Sequence, residues 1–359
     1  MTLKIYAVGD IMLGEQHLCN NFGVKDIIRK NGADFIFNEV SSLFKDADIV
    51  FGNLECSIID VNFGSSNEPT FFCAEPDAIS GLVNAHFNVL SVANNHIMEH
   101  GRRSFLHTIQ ILENNGITPV GIKGKTDILH FKGCKVAILA YSFIEDHIAD
   151  VCYNKIRSEE AIIGEIQKVR SISDLIVVSL HWGCEYVPYP SPDQIRIGRS
   201  LIDAGADIIL GGHPHVTQSY ELYKNRPIFY SLGNFIFDDT YIPATRESFV
   251  AEVTIDHSPE SMSVNVLPVI INEDNYQPRL ITPLKSDIVT SAEEIRNAFE
   301  NRSLLDYENS IGDYDLLYGR YKISAKRKMK VQFLKNFYRY SPSTTFGMIK
   351  EYFSKQKGG

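Results

Sequence analysis

Five polar clusters recur where apolar, strand-like runs end: Gly9-Asp10, Gly52-Asn53-Leu54-Glu55, Asn94-Asn95-His96, His181-Trp182-Gly183 and Gly212-His213-Pro214-His215. Together they offer carboxylate, amide and imidazole groups, side chains that ligate divalent cations and move protons. In an open α/β sheet the ligand crevice lies beyond the carboxyl ends of the strands, so groups at successive strand ends can meet in one place. Packing alone gives no reason for polar side chains to recur there. A single site holding metal is the simplest expectation.

Each cluster also has an ordinary explanation. Asp10, in Gly-Asp-Ile-Met-Leu-Gly, could cap the following helix. Glu55 standing alone would be a solvated loop acid, and a lone His181 a satisfied core or surface residue. Asn94-Asn95-His96 resists such treatment, because one asparagine as an N-cap leaves a second amide and an imidazole unexplained. An asparagine oxygen there could ligate a metal, leaving His96 to act on the substrate. In His213-Pro214-His215, proline stiffens the turn and Gly211-Gly212 permits close approach, which makes a template for adjacent imidazole ligands. Asn53, Asn94, Glu185 and Asn234 are candidate substrate contacts, with loop hydrogen bonding as the alternative for Glu185 and Asn234. Arg102 and Arg103 could neutralise an anionic substrate or face solvent.

Positioning these groups takes strands that alternate with helices. Leu3–Val8, Asp48–Phe51, Phe87–Val92, Asp174–Leu180 and Asp207–Leu210 are apolar enough for buried strands. Helical spacing covers one or two helices in Asp26–Phe44, then Pro76–Asn84, Gly101–Asn115, Ser158–Arg170 and Ser191–Ala204. Hairpins are expected around Lys132-Gly133-Cys134 and Lys224-Asn225-Arg226, and Phe249–Ile255 and Ser263–Ile271 suggest edge strands. The pattern implies βαβ crossovers with added antiparallel hairpins, an α/β fold. Ser291-Ala292-Glu293-Glu294 looks like a capping box, and the change of texture sets a soft domain boundary near residue 285, between 1–285 and a helical, basic 286–359.

With 359 residues, 44% of them hydrophobic, the chain can bury a large core. No run approaches the roughly 18 apolar residues of a membrane span, and the start lacks the features of a signal peptide. Six scattered cysteines without a C-x-x-C pair favour free thiols, so a cytoplasmic location is expected, with attachment to a membrane surface as the open alternative. The net charge of −9 is unevenly spread: of 35 basic and 44 acidic residues, eleven basic and one acidic lie from Arg320 onward. That leaves 24 basic and 43 acidic on residues 1–319, a body too negative to favour nucleic acid. In the tail, Lys326-Arg327-Lys328-Met329-Lys330 runs into aromatic and apolar residues. Such a segment could lie on an anionic membrane, meet a protein partner, or dock on the acidic body.

The series GDIMLG, GNLE, ANNH, HWG-x-EY, GGHPHV and YSLGNFIFD, in this order, closely resembles the CapA family of capsule and poly-γ-glutamate synthesis, within the calcineurin-like metallophosphoesterase superfamily. The similarity spans roughly residues 3–240 and implies a four-layer αββα sandwich with a metal site at the strand ends. By resemblance, Asp10 and His215 would hold one divalent ion, Asn95, His181 and His213 a second, and Glu55 would lie between them. His96 would be the general acid. Mixed nitrogen and oxygen ligands suit Mn, Fe or Zn, as one or two ions. The superfamily's opening D-x-H is here Asp10-Ile11-Met12, and its G-D is Gly52-Asn53 with Glu55 nearby, changes that the CapA branch shares. The resemblance implies a metal-dependent, phosphoesterase-like hydrolase acting on an anionic small molecule or polymer in cell-surface polymer synthesis. Two alternatives fit the same residues: a non-catalytic metal- or polyanion-binding subunit of a polymer-synthesis assembly, and a metal-dependent enzyme acting on γ-glutamyl amides.

Overall fold

Apolar runs and helical patterns alternate along the chain as β1 (Thr2–Ile11), α1 (Val24–Asn31), α2 (Ala33–Phe37), β2 (Ile49–Leu54), β3 (Ser57–Ile58), β4 (Cys73–Ala74), α3 (Ile79–Asn84), β5 (Val89–Ser91), α4 (Gly101–Asn114) and β6 (Thr118–Val120). Then come β7 (Asp127–Phe131), β8 (Cys134–Ser142), α5 (Glu160–Arg170), β9 (Leu175–His181), α6 (Pro192–Asp203), β10 (Ile208–Gly212), β11 (Thr217–Tyr223) and β12 (Arg226–Leu232). The last elements are β13 (Asn234–Ile236), β14 (Glu247–Asp256), β15 (Met262–Ile271), β16 (Pro278–Leu280), α7 (Leu304–Ile311) and α8 (Tyr314–Asn336). The computed structural model describes residues 2–60, 71–146, 148–156, 158–281, 304–340 and 345. The capping box at Ser291 and the boundary near 285 lie outside the described residues.

Two sheets stack face to face. The first runs β16-β15-β14-β1-β2-β5-β6, with β13 parallel to the end of β1; the second runs β11-β12-β10-β9-β8-β7. Side-chain alternation builds the layers. Val136, Ile138, Val177, Ile208 and Leu210 of the second sheet join Leu3, Ile5 and Val8 of the first in one core, which also takes in Val24 and Ile28 of α1 and Phe105 and Leu112 of α4. The alternate residues Leu139, Ile176, Val178 and Ile209 face the other way, onto Ile162 and Ile166 of α5 and Ile195 and Leu201 of α6. The result is the expected αββα sandwich.

Local chemistry explains several boundaries. The helical span expected over Asp26–Phe44 divides at Gly32, whose φ of 87° ends α1 and opens α2. Both hairpins form where expected; Lys132 and Gly133, and Lys224 and Asn225, all take positive φ, as tight two-residue turns require. One expectation fails: neither expected edge strand lies at an edge, Ser263–Ile271 being in β15, between β14 and β16, and Phe249–Ile255 lying further inside. The element of Phe249–Ile255, β14, lies between β1 and β15, antiparallel to both, and its run of buried residues packs inside the sheet. Edge positions fall instead to β16 and to β6, which carry Pro278 and Pro119. Among the described residues, no helix is long and apolar enough to cross a membrane.

The basic tail packs on the body. Tyr307 of α7 donates to Pro190 O at 2.7 Å, and Tyr314 of α8 donates to Tyr189 O at 3.1 Å. Beyond α8, Tyr340 donates to Leu18 O at 2.9 Å and Arg339 lies over the Phe22 ring. Thus α8 spans from the loop after β9 to the loop after β1.

Candidate metal centre

Strand direction brings the five clusters together. β1, β2 and β5 are parallel in the first sheet, and β9 and β10 are parallel in the second, with Asp10 beside Asn53 and Gly212 beside His181. Glu55 follows β2, Asn94 to His96 follow β5, and His213 to His215 follow β10. Close packing of backbone makes the convergence possible. A Cβ on Gly9 would lie 1.8 Å from Gly233 O, and one on Gly212 would lie 2.7 Å from Asp10 Oδ1. Trp182 fixes the end of β9: it is buried, donates from Nε1 to Tyr230 O at 2.9 Å and stacks on the Tyr230 ring.

Two ligand groups form around one carboxylate. Glu55, His181 and His213 hold potential ligand atoms within 4.8 Å of one another, and so do Asp10, Glu55 and His215. Glu55 Oε1 lies 3.6 Å from His181 Nε2 and 3.9 Å from His215 Nε2, and His215 Nδ1 lies 3.7 Å from Asp10 Oδ2. Asn95 joins through Oδ1, 2.9 Å from His181 Nε2. Asp10 accepts from Asn53 Nδ2 at 2.8 Å and from the His213 backbone N–H at 3.1 Å. His213 (φ 94°) and His215 (φ 59°) both adopt left-handed backbone, a conformation that costs about 1–3 kcal/mol per non-glycine residue and is retained where it aims a side chain.

Electrostatics says what these residues lack. Both Glu55 oxygens and His213 Nδ1 are buried without a hydrogen-bond partner. Burial, then the neighbouring Asp10, pushes the Glu55 carboxyl well above its usual range, and burial also raises Asp10. Burial, followed by mutual repulsion with neighbouring imidazoles, holds His181 and His213 well below the usual histidine value. Neutral imidazoles and carboxylates without a counter-charge are the state in which a cation is bound, since it supplies the missing positive charge. Three imidazoles, an amide oxygen and two carboxylates therefore fit a divalent ion, or two ions sharing Glu55.

His96 stands at the rim, half-buried. Its Nδ1 lies 2.6 Å from Glu99 Oε1, its Nε2 lies 3.8 Å from Glu55 Oε1, and its ring stacks on Phe72 at 3.8 Å. A carboxylate only accepts, so Glu99 keeps the Nδ1 proton in place and leaves Nε2 turned inward.

Three residues expected at the substrate are bonded to protein groups behind the candidate ligands. Asn94 is fully buried; its Oδ1 accepts from the His96 and Ile97 backbone N–H groups, and its Nδ2 donates to Asn53 Oδ1 and Leu54 O. Asn234, also fully buried, accepts from His215 Nδ1 at 3.0 Å and donates to Asp239 at 3.0 Å. Asn53 is held by Asp10, Asn94 and His181. Their amides are taken up by protein partners, Asn234 orienting the candidate ligand His215 and Asn53 bonding Asp10. Glu185 remains at the rim, half-buried, and its charge acts on Glu55. Sequence reasoning missed Glu99, Phe72 and Asp239. Burial raises Asp239 to about 7, against the lowering influence of His215. Only Glu99 left a trace in the sequence, three residues after His96.

The chain is similar to known proteins of one family. The model of the family described as bacterial capsule synthesis protein PGA_cap matches residues 4–239. The capsule biosynthesis protein CapA of Bacillus anthracis is 31% identical over 293 residues, covering 77% of this chain and 69% of that protein. The PGA biosynthesis protein CapA of Bacillus subtilis is 30% identical over 283 residues, covering 76% and 72%. Among solved structures, a phosphatase from Mycoplasma pneumoniae aligns with a TM-score of 0.50 at 12% identity, over 81% of this chain and 99% of that one, a likeness of fold.

Proposed function

The chain belongs to the bacterial capsule synthesis protein family, and from that premise we propose that it is a metal-dependent, phosphoesterase-like hydrolase acting on an anionic substrate in the synthesis of a cell-surface polymer. The observation that carries the proposal is Glu55: a fully buried carboxylate, both oxygens without a partner, between two sets of imidazole and carboxylate groups. Asp10 and His215 would hold a divalent cation on one side of it, and His181, His213 and Asn95 on the other. When bound, such a cation supplies electrostatic stabilisation of an anionic transition state and makes water a better nucleophile near neutral pH.

The chain's own residues do the rest. His96 delivers a proton from Nε2 to the leaving oxygen, while Glu99 holds Nδ1 and Phe72 holds the ring plane. Asn234 presents the Nε2 face of His215 by accepting its Nδ1 proton. The left-handed turn at His213 and His215 fixes both imidazoles before substrate arrives.

The test is turnover of an aryl phosphate, an aryl phosphodiester and a γ-glutamyl amide by protein loaded with Mn, Fe or Zn, beside His96→Ala and His213→Ala. Phosphoester cleavage lost in both variants supports the proposal. Bound metal without any turnover would replace it with a binding subunit, and amide-only turnover would replace the substrate class.

A further inference from the structure

The helix α8 has two apolar faces, and the body uses only one. Tyr314, Tyr318, Tyr321, Ala325, Met329 and Gln332 form the inward stripe, on which Ala325 is buried and Tyr314 is bonded to the loop after β9. On the opposite side run Leu316, Arg320, Ile323, Arg327, Val331 and Leu334, spaced by three and four residues, one continuous stripe on a helix. Its four apolar members are 50–70% exposed, and Phe337 and Tyr338 carry the patch past the helix end at 51% and 78%. Of the twelve large hydrophobic residues exposed among the described residues, seven belong to 304–340.

Cations interleave with this apolar seam. Arg320, Lys326, Arg327, Lys328 and Lys335 are exposed and form no ion pair among the described residues. The body is strongly acidic, so an anionic surface would repel it and attract the outer face of α8 alone. A soluble polyanion explains the cations but not the exposed leucine, isoleucine, valine and aromatic side chains. A bilayer explains both, since apolar side chains enter the headgroup boundary while arginine and lysine reach the phosphates.

We infer that the outer face of α8 docks the protein on an anionic phospholipid surface. The helix is pinned at its start to the loop after β9 and, just past its end, to the loop after β1. Those loops follow the strands that end in His181 and Asp10, so docking through α8 would bring the strand-end side of the molecule towards the bilayer. The inference holds whether or not the centre is catalytic.

The experiment is cosedimentation of the full-length protein with vesicles of pure phosphatidylcholine and of an equimolar mixture with phosphatidylglycerol, at low and high salt. Variants are Arg320→Glu with Arg327→Glu, and Ile323→Ser with Leu334→Ser; unchanged melting temperature and metal content show that the fold is intact. Binding should need phosphatidylglycerol, weaken with salt, and fall by roughly tenfold or more in the arginine variant. The serine variant should also lose most vesicle binding. Equal binding to both vesicle types, or none to either, would overturn the inference. So would binding to soluble poly-glutamate that competes fully with vesicles and is indifferent to the serine substitutions.

Discussion

Replacing Glu55 with glutamine should change how the stability of the cation-free protein depends on pH. Glu55 is fully buried, and burial plus the adjacent Asp10 raises its carboxyl well above the ordinary carboxyl range. A carboxyl whose folded pKa lies above its unfolded pKa binds more protons in the native state, so its contribution to stability falls as pH rises between the two. The slope is about 1.4 kcal/mol per pH unit for one carboxyl, and Glu55→Gln removes it. His181 and His213 act oppositely: with folded pKa values depressed, they oppose folding as pH falls below their unfolded value of 6.5. Their terms are common to both proteins and largely cancel in the difference. As pH rises above the ordinary carboxyl range, wild type should therefore lose stability relative to Glu55→Gln, by up to about 1.4 kcal/mol per pH unit, in denaturant unfolding of chelator-treated protein. Saturating Mn or Zn at about 100 times its Kd should stabilise wild type by about 2.7 kcal/mol and the variant by much less. A flat difference across pH, together with an undiminished metal effect in the variant, would refute the assignment of Glu55 as the shared ligand.

His96→Gln should lower kcat by roughly 100- to 10,000-fold while leaving bound metal unchanged, measured by steady-state turnover and elemental analysis. Asn234→Ala removes the acceptor that orients His215 at 3.0 Å and should weaken metal affinity about 10- to 100-fold, read by titration against a competing chelator, with the fold intact by circular dichroism. Arg199→Met leaves the buried Glu221 without its two-pronged partner, at 2.9 and 2.8 Å; a loss of about 3 kcal/mol should appear in urea unfolding, with no change in metal binding.

Much of this molecule is legible in its sequence because strand ends are easy to find and polar side chains there are conspicuous. Asp10, Glu55, Asn95, His181, His213 and His215 each follow an apolar run, and parallel strands send those ends to one edge. What the sequence withholds is which side of a ligand a polar group occupies. Asn94 and Asn234 have the same amide whether they meet a substrate or hold a neighbouring histidine, by its backbone N–H at His96 and by its ring at His215, and only the distances separate the two. Phe72 stacks on His96 across 24 positions of sequence, with no periodicity to announce it. Strand order is equally silent: the half-exposed alternation late in β14 resembles an edge strand, yet its partner β1 lies at the far end of the chain. In α8 apolar residues occur on both faces, so the pattern marks no single buried side until the docked tyrosines identify one.

The most direct measurement is anomalous scattering from crystals grown with Mn, Fe or Zn, recorded on either side of each element's absorption edge. Asp10, Glu55, His181, His213 and His215 should surround one or two peaks, with Glu55 and imidazole nitrogens about 2.0–2.2 Å from an ion. Crystals of metal-loaded protein with no peak among these residues, or with a peak elsewhere and Glu55 still unpartnered, would contradict the assignment.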